Sequence, residues 1–169
     1  MRKLRADEIE CRIGMAKADK GISLLLYKDA RCDMAILDET FGAMNWQRRH
    51  SRDNANCIVS VWDKGKGVWV EKEDTGTGSI TEAEKGMASD SFKRACVNWG
   101  IGRELYTAPF IWVPVDKVEL IQYNGKTSTR DKFSVKSINY DEKTGDISEL
   151  TIVNQKGIVV FSWRAQPKQ

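Results

Sequence analysis

The 169-residue sequence has one histidine, His50, and four cysteines, Cys11, Cys32, Cys57 and Cys96, with no CxxC pair among them. A zinc site needs clustered Cys and His ligands, so no metal is expected, and no cofactor is predicted. No serine or cysteine is placed with a base and an orienting acid, so the chain is predicted not to be an enzyme. Acid pairs such as Asp38 with Glu39, or Glu82 with Glu84, have no partners that would complete a nuclease-like metal site. No apolar run approaches the roughly 20 residues that cross a bilayer. The first residues, MRKLRADE, are charged where a signal peptide needs an apolar stretch. A cytosolic protein is expected, in a reducing compartment, with Cys57 and Cys96 as buried thiols. Internal repeats and low-complexity tracts are absent too. Gly125-Lys126-Thr127 imitates the end of a phosphate-binding loop, but Leu120 stands where the earlier glycine belongs. Gly76-Thr77-Gly78-Ser79 lacks the lysine and third glycine of nucleotide fingerprints and reads as a sheet-to-helix linker.

What is present is an ordinary globular composition, 41% hydrophobic and 30% charged, with a net charge of +3. That bias is too small to argue for nucleic acid by bulk electrostatics, so local placement must carry any such case. Basic clusters occur at Arg2, Lys3 and Arg5 and at Arg48, Arg49 and Arg52. The pattern predicts an α+β fold: an antiparallel sheet packed against one long helix, an N-terminal helix, and a C-terminal β-meander. Ile9, Ile13 and Ala16 on one face predict the first helix over Ala6–Lys20, stopped by Gly21. Leu24–Tyr27 reads as a strand, and Cys32–Leu37 as either a short helix or a second strand. Strands follow over Met44–Arg49, Asn56–Asp63 and Val68–Asp74, the last two joined by the turn Lys64–Gly67. Thr81, with Glu84 three residues on, forms a capping box for a helix running to Trp99, with Gly100 as its stop. Strand-like segments Val118–Tyr123, Phe133–Tyr140, Ile147–Asn154 and Ile158–Trp163 complete the chain. The expected division is 1–114 for the core and 115–169 for a meander that extends it or forms a small subdomain.

The long helix carries the most specific pattern. At about 100° per residue Ala88, Ser91, Phe92, Ala95 and Trp99 share an apolar arc, and Lys85, Ser89 and Lys93 line one flank at i, i+4, i+8. Arg94 leaves on the other flank. Such a row is a solvated surface in most proteins, but it can also track phosphates without reading bases. Of the six tryptophans, Trp46 and Trp99 fit a core, whereas Trp62 or Trp69 on the outer face of the hairpin could meet DNA or a neighbouring subunit.

The segment ASDSFKRACVNWGIGRELY, preceded by NCIVSVWDKGKGVWVEKEDTGTG and DARCDMAILDETFGAMNW, resembles the annealing domain of the Rad52 family of single-strand annealing proteins, phage recombinases among them. The resemblance spans about Glu8 to Pro109. It is most specific at Phe41, Gly42 and Trp46 and at Ser89, Asp90, Lys93, Arg94 and Gly100. It implies a non-enzymatic protein that binds single-stranded DNA in a basic groove and anneals complementary strands in recombination and repair. By that resemblance Arg12, Lys85, Ser89, Lys93 and Arg94 contact phosphate. Val97 stands where eukaryotic members have a third basic residue, and Arg103 is the candidate substitute. A homo-oligomeric ring is also implied, with a single-strand coat protein or an exonuclease as possible partners and, for a phage-type member, a bacterial host's cytosol. The rival readings are a protein-interaction subunit that has lost DNA binding and a nucleic-acid-processing enzyme.

Overall fold

The computed structural model describes residues 1–77 and 83–166, and of residues 83–85 the backbone alone. In chain order a 3-10 turn (Ala6–Glu8) precedes β1 (Glu10–Lys17), β2 (Gly21–Tyr27), α1 (Ala30–Phe41), β3 (Trp46–Ser51), β4 (Asn56–Asp63), β5 (Val68–Thr75) and α2 (Ala83–Asn98). A second 3-10 turn (Arg103–Thr107) leads to β6 (Ile111–Pro114) and a third (Val115–Lys117) to β7 (Leu120–Tyr123). Strands β8 (Lys126–Thr129), β9 (Phe133–Tyr140), β10 (Ile147–Asn154) and β11 (Val159–Arg164) follow. The fold is α+β and every strand pairing is antiparallel. The chain divides into two compact units, residues 1–4 with 28–103 and residues 5–27 with 104–169.

In the first unit β3, β4 and β5 form a meander. Alternation along β4 turns Cys57, Val59 and Val61 to one face, where all three are buried against α2 residues Phe92, Ala95 and Cys96. The tight β4–β5 turn is fixed by Asp63, whose Oδ1 accepts the Gly65 and Lys66 amides at 2.9 and 3.1 Å. Cys32–Leu37 proves helical. Asp29 caps α1 by accepting the Arg31 and Cys32 amides at 2.8 and 2.9 Å, and Gly42 closes it. Residues Ile36 and Leu37 of α1 are fully buried. The Thr81–Glu84 capping box lies outside the described residues.

The second unit holds a six-stranded sheet, ordered β11-β10-β9-β1-β2-β6, and the separate β7–β8 hairpin. Its first and last strands, β11 and β6, approach each other, so the sheet curls on itself. Ile22, Leu24, Ile111, Val113, Val135, Leu150, Ile152 and Val160 are buried. The helix predicted over Ala6–Lys20 is a correction: only Ala6–Glu8 makes a 3-10 turn, and β1 follows as one arm of a hairpin with β2. A 3.6-residue spacing of three apolar positions does not outweigh a partner as apolar as GISLLLY, and Gly14 inside the segment disfavours helix. A side chain at Gly14 would press on Ser23 and Leu25, and next to it the Met15 amide donates to Ser23 Oγ at 2.9 Å, where the hairpin register shifts. Gly21 therefore begins a strand rather than ending a helix. Val118–Tyr123 shortens to β7, which pairs locally with β8.

Candidate nucleic-acid interface

The register of the first sheet decides which charges flank α2. Arg48 pairs with Val59 and Val59 with Lys72, so both cations stand on the face where Val59 is buried beneath the helix. The Arg48 guanidinium lies 4.5 Å from the centroid of the Phe92 ring, and the Trp46 ring stacks on Phe92 at 6.2 Å. Lys72 sits 4.7 Å over Trp99 and donates to the Asn98 carbonyl at 2.8 Å. Cation–π attraction holds each charge in place while leaving its outer side hydrated. The sequence reading had Arg48 only as part of a basic cluster and missed Lys72, although strand alternation through Val59 was the signal that could have placed both beside the helix.

The predicted residues distribute as follows. Ser89 and Lys93 are half-buried and one turn apart on the same row of α2. Lys85 continues that row by helical spacing, its side chain lying outside the described set. Arg94 projects from the opposite flank toward β5, where it meets Asp74 at 3.6 Å. Arg103 donates to the Val97 carbonyl at 3.0 Å and the Asn98 carbonyl at 3.2 Å. It thus closes the negative end of α2 together with Lys72. Arg12 belongs to the second unit and sits on β1, not on a helix as predicted; its guanidinium lies 5.6 Å from the centroid of the Tyr27 ring. Only Ser89, Lys93 and the backbone of Lys85 are brought into one row.

The surroundings of that row are tightly built. Asp90 Oδ2 accepts the Thr77 amide at 2.9 Å, and Ser91 donates to the Asn54 carbonyl at 2.9 Å, tying α2 to the sheet. Trp46 donates to Asp38 at 2.6 Å, Trp99 donates to the Val59 carbonyl at 3.1 Å, and Phe41 meets Trp99 edge to face at 5.9 Å. These three rings are half-buried around the fully buried Phe92, so Trp46 and Trp99 border the core rather than lie within it. Trp62 and Trp69 pack against each other at 5.5 Å on the hairpin, with Trp69 exposed. Burial pushes the Cys57 thiol up to about 11 and the Cys96 thiol upward as well. All four cysteines are free. Among the described residues no group of His, Cys, Asp and Glu is arranged to hold a metal ion, and no helix is long and apolar enough to cross a membrane.

A meander of three strands with a helix laid over one face is thus a scaffold that presents cations over the buried Phe92 ring and the half-buried Trp99 ring. Residues 55–121, from β4 through α2 to the start of β7, match the Rad52/22 family double-strand break repair protein model. No curated protein and no solved structure matches the chain.

Proposed function

We propose that the chain is a single-stranded DNA-binding protein of homologous recombination and DNA repair that anneals complementary strands without bond chemistry. The observation that carries this reading is the Ser89–Lys93 row on α2, inside the segment that matches a family of break-repair proteins, with Arg48 of the preceding strand β3 held over Phe92 of the same helix. Two complementary strands repel each other and fold on themselves. A row of hydroxyl, ammonium and guanidinium donors lowers the first obstacle by neutralising phosphates and the second by holding the backbone extended. Base pairing itself then supplies specificity. Assembly into a ring, which sets such rows side by side, and recruitment of a single-strand coat protein or exonuclease belong to the same proposal. So does a cytosolic site of action.

Fluorescence anisotropy with a labelled oligonucleotide across a salt series is the test. Each phosphate contact adds about −0.7 to the slope of log affinity against log salt for single strands. Lys93→Ala is therefore expected to flatten the slope by about 0.7, and Arg48→Ala by a similar amount. Arg94→Ala should do less by itself, because Asp74 already engages that side chain. The Lys93→Ala/Arg94→Ala double variant is expected to bind more weakly while keeping its fold. Salt-independent binding, or none, would point to the rival interaction subunit, which Val97 and the inward engagement of Arg103 favour. Light scattering reads the assembly, where a strict monomer speaks against a ring.

A further inference from the structure

Directly beneath the Lys93 turn lies a buried ion pair that the binding row does not itself require. Lys28 precedes α1 with its side chain 5% exposed, and its ammonium donates to Asp33, whose side chain is fully buried. The same ammonium donates to the main-chain carbonyl of Lys93 at 3.3 Å. Asp33 Oδ2 is buried with no hydrogen-bond partner among the described residues. The turn after α2 is shaped around this lysine: Gly102 has φ +70°, and any side chain there would overlap the Lys28 stem. Well-packed apolar residues in place of a buried pair commonly give equal or greater stability, so stability alone does not account for one.

The geometry points to Lys28 and Asp33 as positioning residues for the phosphate-binding lysine of α2, an inference that rests on the function proposed above. Lys28 anchors the Lys93 backbone by its carbonyl. Asp33 acts twice, holding Lys28 in place and drawing the Lys93 ammonium by direct charge attraction toward the α1 side of the row. Ordering a long lysine stem before the ligand arrives removes part of the entropic cost of binding.

The test separates stability from affinity. In Lys28→Met/Asp33→Leu the pair is replaced by apolar side chains, and the denaturant midpoint is expected to stay at or above that of the wild type. Single-strand affinity should nevertheless fall about tenfold, with the salt slope reduced by about 0.7, the signature of one lost contact. In a Lys93→Ala background the same replacement should change affinity by less than about twofold, since the lysine it positions is gone. Asp33→Asn, which keeps the shape of the side chain, serves as a second variant should the double replacement fail to fold, and the same losses are expected of it. Folded variants that bind like the wild type, or that lose equal affinity with and without Lys93, overturn the positioning role and leave the functional reading standing. A wild type that binds no oligonucleotide at any salt overturns both.

Discussion

Asp33→Ala is expected to lower the free energy of unfolding by about 3–5 kcal/mol, read from urea or guanidinium titrations. The reason is the charge left behind. With the carboxylate gone, the Lys28 ammonium stays in a site where its side chain is 5% exposed, and the Lys93 carbonyl is the acceptor that remains from the pair's hydrogen bonds. Lys28→Ala exposes the converse problem, because Asp33 would keep a buried charge without its closest counter-ion. The sign of the pH dependence follows from burial, which pushes the Asp33 carboxyl up to about 6 despite the opposing pull of Lys28 and then Lys93, with Asp29 adding a smaller upward push. A carboxyl raised in this way contributes stability that is fully present below its unfolded value near pH 4 and is lost as the pH climbs through about 6. The stability difference between wild type and Asp33→Asn should therefore shrink across that window and then level off. A difference that does not change with pH would show that Asp33 keeps its unfolded affinity for protons.

Gly21→Ala is expected to cost roughly 2–4 kcal/mol, combining strained backbone with overpacking. Gly21 opens β2 at φ +138°, opposite Pro114 of β6, and a Cβ there would overlap the main-chain oxygen of Val113. Main chain cannot swing aside as a flexible side chain can. The strands would have to part where Gly21 meets Pro114 and where the Val115 amide donates to the Lys20 carbonyl at 3.0 Å. Gly65→Ala is the control, since its added Cβ would lie 3.4 Å from Asp63 Oδ1 in ordinary contact and its φ is not in the positive range. Equal midpoints for the two variants would contradict the steric account.

The first unit was legible where local pattern and tertiary demand agree. Alternation of Cys57, Val59 and Val61, the glycine-rich turn after Asp63, and the apolar arc through Phe92 and Trp99 each specify their element without help from distant residues. The β1 segment was misread because its pairing rests on partners that periodicity within the segment does not reveal. Beyond the β2 arm, Glu10 pairs with Ser134, more than a hundred residues away, and neither neighbour leaves a mark on the spacing of Ile9, Ile13 and Ala16. Arg12 moved with that segment. The row on α2 was readable from i, i+4 spacing, whereas the inward engagement of Arg103 and Arg94 needed the positions of the Val97 carbonyl and Asp74. The Lys28–Asp33 pair was hidden for the same reason: α1 and α2 meet only in three dimensions, and no sequence window contains both residues and Lys93.

The interleaved path of the chain, in which residues 5–27 and 104–169 share one unit while 28–103 fill most of the other, sets an order for biosynthesis. As the nascent polypeptide leaves the ribosome, the α2-bearing half is complete once residue 103 has emerged. The first hairpin must still wait for β6 and β9, and with them for the burial of its Ile22 and Leu24. Truncation shortly after Gly102 would therefore leave that hairpin orphaned and prone to cling to other chains, so a soluble fragment of the helix-bearing half has to shed residues 5–27 as well.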